Sequence, residues 1–302
     1  MNLQFGLGEL YSLICAFTWA SAVIVFKKSG EHLPPFALNL VKNAIVLPMF
    51  LLTLLAFEDW QWPAIPAPHI GILLLSGVLG IAMGDTLYFR ALNAIGASRM
   101  AAAQALYSPF VILLSLTVLG ERLGGLQFAG VALVLGGIGL VTWSPAQTIA
   151  DRRLLWAGVA WAVLAVFMMA VGVVMAKPML EQHSFLWVVT LRIVGGLLGM
   201  LGLAAARREF ASLWRAWRGV THWHVIVLGG FIGTYVSMMF WLAGYKYTQA
   251  SIAAVLNELA AAFILPLAAI FLRERIQPRQ TLGVLVALVG VLLVVTMQPA
   301  AA

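Results

Sequence analysis

The stretch GVLGIAMGDTLYFRALNAIGAS (residues 77–98) is almost wholly apolar, yet it holds Asp85 and Arg90 five residues apart. About 20 apolar residues in helix cross the ~30 Å hydrocarbon core of a bilayer, so the stretch reads as part of a membrane-spanning helix. An ionisable group inside such a helix costs about 2.5–3.5 kcal/mol on insertion scales, and it faces the bundle interior or a cavity. Asp85 is therefore a functional candidate. Arg90, near the end of the run, reads as an anchor that snorkels to the headgroups.

The rest of the chain agrees. It is 63% hydrophobic and 10% charged, with a mean hydropathy of +0.99. Soluble domains carry about 25% charged residues. The run lengths, without period-two alternation, specify helices and not a barrel. The net charge of +7 does not point to nucleic acid, because the basic residues are few and sit between apolar runs. The single cysteine, Cys15, excludes a disulfide framework and a cysteine-ligated metal site. The first apolar run lacks a basic leader, and Lys27 and Lys28 follow it, so it is expected to remain in the mature protein.

Pro, Gly and charge divide the chain into ten expected spans, near 9–28, 36–57, 70–92, 98–119, 124–143, 154–176, 185–206, 223–245, 250–272 and 280–297. The opening stretch then recurs. Residues 69–142 align with 222–295 without a gap, at an offset of 153. Gly77 meets Gly230, Gly80 meets Gly233, and Ala97-Ser98 meets Ala250-Ser251. Leu106 meets Leu259, Glu121-Arg122 meets Glu274-Arg275, and Gly130 and Gly137 meet Gly283 and Gly290. The first two spans of each half align more loosely, with Lys28 on Lys177 and Phe36 on Phe185. The unit is five helices used twice, residues 1–147 and 148–302, with a seam near PAQTIADR.

Five spans per unit turn the second copy upside down. Charge placement tests this. With the N-terminus outside, the inner loops carry Lys27, Lys28, Arg90, Arg99, Arg152, Arg153, Arg207, Arg208, Arg215, Arg218, Arg273, Arg275 and Arg279, and the outer side carries Arg122, Lys177 and Lys246. The positive-inside rule places both termini outside. An inverted repeat suits alternating access, in which one half rocks against the other.

The sequence here resembles the drug/metabolite transporter superfamily, in its ten-helix EamA type. FTWASAVIVFKKS in the first span carries the resemblance, with LYFRALNAIGASRMAAAQALYSPFVILLSLTVLGERLGGLQFAGVALVLGGIGLV and its second-half counterpart. So do the Tyr-x-x-Ala-Leu run, the Ser108-Pro109 pair and the Gly120-Glu121-Arg122 turn. The resemblance implies an all-α membrane protein of two inverted five-helix bundles around a central cavity, with the fifth and tenth helices peripheral. It leaves the substrate open.

Four ionisable groups lie within spans: Lys42, Asp85, Arg192 and Glu258. Counted from the span ends, they form two expected pairs at matched depth, Lys42 with Asp85 and Arg192 with Glu258. Each pair is a salt bridge, a substrate-carboxylate clamp or a titrating coupling site, and Glu258 is the first candidate for carrying a proton, ahead of Asp85. Arginine offers a carboxylate a fork where lysine offers a point charge. Asn43, Gln104 and Asn257 are polar groups able to orient a ligand or to tie helices together. Trp19, Tyr88, Tyr107, Trp161, Tyr235 and Trp241 are aromatic groups inside spans; Tyr88 and Trp241 occupy equivalent repeat positions, and Asp85 and Tyr88 share a helix face. Trp60, Trp62, Trp214, Trp217 and Trp223 read as an interfacial belt. Gly80-x-x-x-Gly84, Gly195-x-x-x-Gly199 and Gly229-x-x-x-Gly233 permit close helix contact. Pro48, Pro109 and Pro266 are expected kink points. His222 and His224, two residues apart at an interface, do not form a metal site, and no cofactor is expected.

The sequence favours a secondary-active exporter of a small organic metabolite such as an amino acid, with protons as one means of coupling. The chain is expected in the inner (plasma) membrane, in contact with lipid and its small-molecule substrate, as a monomer and without nucleic acid. Efflux of cationic drugs, with Asp85 or Glu258 as counter-ion, and facilitated uniport remain open. ATP-driven transport is disfavoured, because no Gly-x-x-x-x-Gly-Lys-Ser/Thr loop occurs. An intramembrane enzyme would need a nucleophile–base pair or a metal cluster, and no histidine lies well inside a span. The orientation is tested by fusions to the C-terminus. Alkaline phosphatase should be active there and green fluorescent protein dark; the reverse would show that folding of the inverted pair overrides the charge bias.

Overall fold

In the computed structural model, residues 6–29, 33–57, 65–95, 100, 103–142, 152–272 and 278–296 are described. Arg99, Arg273, Glu274, Arg275, Trp60, Trp62 and most of the seam lie outside them. The described residues form helices and turns without strands. The first half contains α1 (Leu7–Ser29), α2 (Pro35–Phe57), α3 (Ala67–Ile95), α4 (Tyr107–Leu119) and α5 (Gly125–Thr142). The second contains α6 (Arg152–Gln182), α7 (Phe185–Ala206), α8 (Phe210–Arg218), α9 (Trp223–Tyr247), α10 (Ala250–Asn257), α11 (Ala260–Leu272) and α12 (Pro278–Thr296). Among these, α2, α3, α6, α7 and α9 are long and apolar enough to cross a membrane, and shorter apolar helices accompany them.

Inter-half contacts come in mirrored pairs. α1 packs on α9, α10 and α11, and its repeat-mate α6 packs on α3 and α4. α2 packs on α9, and its mate α7 packs on α3. α5 and α12 pack on each other, with Gly130 against the Gly290 carbonyl and Gly137 against the Gly283 carbonyl. Gly130 and Gly283 are repeat-mates, as are Gly137 and Gly290. Each member therefore touches the other's mate, the signature of a two-fold relation between the halves.

The copies also share their irregularities. α3 widens to π-helical turns over Val78–Asp85, and α9 does so over Gly230–Val236, the matching segment. Such turns leave backbone groups displaced from the α ladder. Asn39 of α2 answers this by donating to the Ile81 carbonyl (2.8 Å) and to Thr86 Oγ1 (3.1 Å). A second break falls at residues 105–106 ahead of α4 and at Glu258–Leu259 between α10 and α11. The same short bonds mark both: Leu106 to the Ala103 carbonyl (3.0 Å), and Leu259 to the Leu256 carbonyl (3.1 Å). Pro109 accounts for the first, because it has no N–H for the Ala105 carbonyl. It does not account for the second, where Ala262 stands in its place. At the other two expected kink points the helix is not interrupted: α11 runs through Pro266 and α2 through Pro48.

Two further departures concern ends. α6 extends six residues beyond the expected span, to Gln182. The loop after α7 holds an unexpected helix, α8, whose Leu213 is buried and whose Trp217 indole donates to the Ala37 carbonyl at 3.4 Å. Trp214 is 54% exposed beneath Arg218, as an interfacial ring should be.

At the end of α4 that lies beside the start of α10, Gly120 adopts the left-handed region (φ 68°) and turns Glu121 across to the other half. The Glu121 carboxylate accepts from the Ala250 N–H (2.6 Å), the Ser251 N–H (3.1 Å) and the Ser251 hydroxyl (2.8 Å). It caps the orphan donors of α10 and meets the positive end of its dipole. His69 of α3 and His183, between α6 and α7, share a hydrogen bond of 2.8 Å. Desolvation and the neighbouring His69 hold the His183 imidazole below its ordinary pKa.

The tightest crossing is α3 on α7. A Cβ on Gly77 would lie 1.9 Å from the Arg192 carbonyl oxygen, and one on Gly195 would lie 2.2 Å from that of Leu74. Gly71, earlier in α3, has nothing within 4 Å. Gly77→Ala should destabilise the protein by about 1–3 kcal/mol through overpacking, whereas Gly71→Ala should be neutral or stabilising by up to about 1 kcal/mol. Thermal unfolding of both variants in one detergent checks this.

Candidate functional site

α2 presents Asn39, Lys42 and Asn43 to α3 on one helical face. All three are buried. Lys42 Nζ lies 2.5 Å from Asp85 Oδ2, at the end of the widened turns, with the Phe89 ring 5.5 Å away. Asn43 donates to the Asn39 carbonyl (2.8 Å) and side chain (2.9 Å), which leaves its own Oδ1 buried without a partner. The Lys42–Asp85 pair is thus formed as its depth predicts, within a network that holds the irregular stretch of α3.

The second expected pair is not formed. Arg192 is 1% exposed, and its Nη1 donates to Ser76 Oγ and to the Gly172 carbonyl, both at 2.5 Å. Its Nε has no partner. Glu258 is bonded instead to Ser108, whose hydroxyl lies 3.1 Å from both Glu258 Oε1 and the Ala254 carbonyl. The reason is the helix break. It places Glu258 at the C-terminal end of α10 facing α4, while Arg192 is drawn between α3 and α6. Residue depth fixes neither direction.

The repeat sharpens the contrast. Gly77 adjoins the Arg192 carbonyl, and its mate Gly230 lies 4.0 Å from the Lys42 carbonyl, measured from an added Cβ. Arg192 and Lys42 therefore lie against matching parts of α3 and α9, one position off the register that sets Phe36 on Phe185. Lys42 has Asp85, but the mate of Asp85 is Met238, so the second copy has no acid where the first has one. Among the described residues no carboxylate lies in ion-pair range of Arg192, and no cation lies in range of Glu258.

Rings connect the two groups. Arg192 lies 5.8 Å over the Trp241 ring, Trp241 meets Tyr245 edge-on at 5.5 Å, and the Tyr245 and Tyr107 hydroxyls share a bond of 2.8 Å. Ser108 follows Tyr107 in the chain. Ser76, Ser108, Asn39 and Tyr245 are not charged residues, so they do not stand out in apolar spans as Lys42, Asp85, Arg192 and Glu258 do. Asn39 stands one turn before Lys42, Tyr245 one turn after Trp241, and Ser108 in the Ser-Pro pair, and those spacings are the available signals.

The other candidates lie around this line. Tyr88 is half-buried, edge-on to Phe89 at 5.7 Å. Gln104 precedes the first break, with its Oε1 buried and unpartnered. Asn257 donates back to the Ala253 carbonyl (2.8 Å) and leaves its Oδ1 unpartnered. Tyr235 is a packing residue, bonded to Thr53 and set against Phe50. Arg90 is exposed and lies 5.3 Å over Trp161.

Removing one member of a buried pair strands the other charge, so the single changes should cost more than the double. Lys42→Met and Asp85→Asn alone should each lower the melting temperature further than the double variant does. Additive losses would show that the pair carries no coupling energy.

The comparisons with known proteins agree with this architecture. The EamA-like transporter family profile matches twice, over residues 6–143 and 156–296. An uncharacterized transporter of Archaeoglobus fulgidus is 24% identical over 288 residues, which are 94% of this chain and 96% of that protein. A crystal structure of another protein has the same fold, with a TM-score of 0.75 at 17% identity over 95% of each chain. A profile that covers both halves, each with its widened third helix and broken fourth, makes this chain a multi-pass membrane protein of the EamA-like transporter family.

Proposed function

We propose that the protein is a secondary-active exporter of small amphipathic zwitterions of the amino-acid type, working by alternating access of its two inverted halves. One observation carries this reading. Arg192 and Glu258, of opposite charge and both buried, lack an opposite charge of their own among the described residues and are joined through Trp241, Tyr245 and Tyr107. A buried charge is costly until it is paired. A solute with a carboxylate and an ammonium supplies both missing partners, and the rings suit its apolar side chain. The guanidinium fork is the natural seat for the carboxylate.

The two-fold packing supports alternating access. Helix pairs on the two sides of the membrane are made by equivalent residues, so closing one side resembles closing the other. Glu258 is the proposed proton carrier. Its carboxyl is bonded by Ser108, a neutral residue, and no cation lies in ion-pair range among the described residues, so it can gain or lose a proton without breaking an ion pair. Asp85, held by Lys42, is less free to do so. The charge count supports an inner-membrane orientation with both termini outside.

Counterflow into proteoliposomes, screened with amino acids, nucleosides and organic cations, tests the reading. Amino acids should exchange, and Arg192→Met should reduce that exchange more than tenfold, about 1.4 kcal/mol or more of lost binding. Exchange of organic cations alone would overturn it in favour of cation efflux. Glu258→Gln should abolish accumulation driven by a pH gradient and spare exchange, which moves no net proton. Full pH-driven accumulation in that variant would make Glu258 a structural partner of Ser108.

A further inference from the structure

A cavity of about 530 Å³ lies at the outer ends of α4, α6 and α9, away from the line joining Arg192 to Glu258. Glu121, Lys177, Glu181, Lys246, Tyr247 and Gln249 contribute to its wall. The charge count makes it unusual. In the proposed orientation the outer side holds Arg122, Lys177 and Lys246 against thirteen inner basic residues. Outer cations work against that orientation. Two of the three line this one cavity, and the third adjoins Glu121 in the chain.

Internal pairing accounts for part of the set. Lys177 is 6% exposed and bonds Glu181 at 2.6 Å, one turn along α6. Glu121 is spent on the N-terminus of α10. That leaves Lys246, half-buried with its Nζ 5.8 Å from the Tyr247 ring centre and with no carboxylate partner among the described residues. Gln249 beside it keeps a buried Oε1 without a donor. The wall therefore offers one uncompensated cation next to an exposed ring.

Its placement relates it to the central line. Lys246 directly follows Tyr245, and the α4 end that lines the cavity continues inward to Tyr107 and Ser108. Between the two levels the Ser115 and Ser251 hydroxyls meet at 2.6 Å, which closes α4 on α10. From Ser251 to Glu258 is seven residues, about 10 Å along a helix.

We propose that this cavity is a second, outer binding site for the carboxylate of the transported solute, with Lys246 as its cationic anchor and Tyr247 beneath the solute's apolar part. The proposal rests on the reading of the protein as a carrier of carboxylate-bearing zwitterions. The site would receive the solute once the Ser115–Ser251 closure opens.

The test is protection of an amine. The full-length protein, in phosphatidylcholine proteoliposomes, is acetylated with a membrane-impermeant N-hydroxysuccinimide ester, and Lys246 and Lys177 are followed by mass spectrometry. Acetate, L-leucine and L-phenylalanine should slow acetylation of Lys246 several-fold, and the corresponding amides should not. Lys177, held by Glu181, should be unaffected. Equal protection by acids and amides, or none by either, overturns the site. Protection of Lys246 by phosphatidylglycerol in the vesicles without added carboxylate also overturns it, because the occupant is then a lipid headgroup. The same measurement on Arg192→Met separates the two proposals. Protection that survives there while no amino acid exchanges in the unaltered protein would defeat the central-site reading, and with it the identity of the outer ligand as the transported solute. Exchange without protection in the unaltered protein would defeat this one alone. As a second variant, Lys246→Met should raise the KM for solute added from the outer side several-fold and leave the inner-side KM unchanged, and Lys246→Arg should restore it.

Discussion

A guanidinium cannot be left in hydrocarbon, and the tightest helix crossing of this fold encloses one. Arg192 is reached by protein from three directions: its own helix α7, Ser76 on α3 and the Gly172 carbonyl on α6. Three helices approach that closely only if side chains are missing where they meet. Gly77 and Gly195 let the α3 and α7 backbones touch, and a Cβ on Gly172 would come within 3.0 Å of the Gly80 backbone. The mixed contact of both halves at this point is what fixes α3 of the first copy against α6 and α7 of the second. The mirrored contact of α9 with α1 and α2 needs no such enclosure at Lys42, because Asp85 arrives from within the same half.

The repeat thus preserves backbone and varies chemistry. Both copies keep the widened third helix and the broken fourth, although the proline that explains one break is absent from the other. A feature kept without its local cause points to a packing requirement of the two-fold arrangement. The break in the second copy carries Glu258 at a position that is Ala105 in the first. Discontinuous helices in membrane transporters present freed backbone and end-of-helix groups to the interior. Here the break also turns a carboxyl toward Ser108, across the boundary between halves.

Much of this was legible in the sequence. Apolar run length located most helices within a few residues, and α7 begins and ends where expected. The gapless offset of 153 announced the repeat. The Lys42–Asp85 pair could be read because both residues lie on long helices, where depth follows from counting. Arg192 and Glu258 could not, because the choice of partner depends on a break that leaves no apolar gap and on which neighbour offers a carbonyl. The role of Glu121 was hidden for a different reason. It is a loop residue whose partner, the start of α10, lies 129 positions away, and only the inverted packing brings them together. The helix α8 was missed because it is amphipathic and short, too polar for a search tuned to spans.

The asymmetry between copies bears on how such a carrier would move. In a low-dielectric interior an ion pair travels as a neutral unit, whereas a lone charge must keep its surroundings or be compensated. The Lys42–Asp85 pair is self-contained within the first half and can shift with it at little electrostatic cost. Arg192 is held by groups from both halves, so any rocking that separates α3 from α7 strips it of Ser76. Under the proposed reading, a solute carboxylate replaces that lost partner and its ammonium compensates Glu258. The loaded centre is then nearly neutral and the empty one is not. Proton uptake by Glu258 would remove only one of the two uncompensated charges. The guanidinium would still resist exposure, which ties movement of the halves to the presence of an anion at Arg192 more tightly than to the proton.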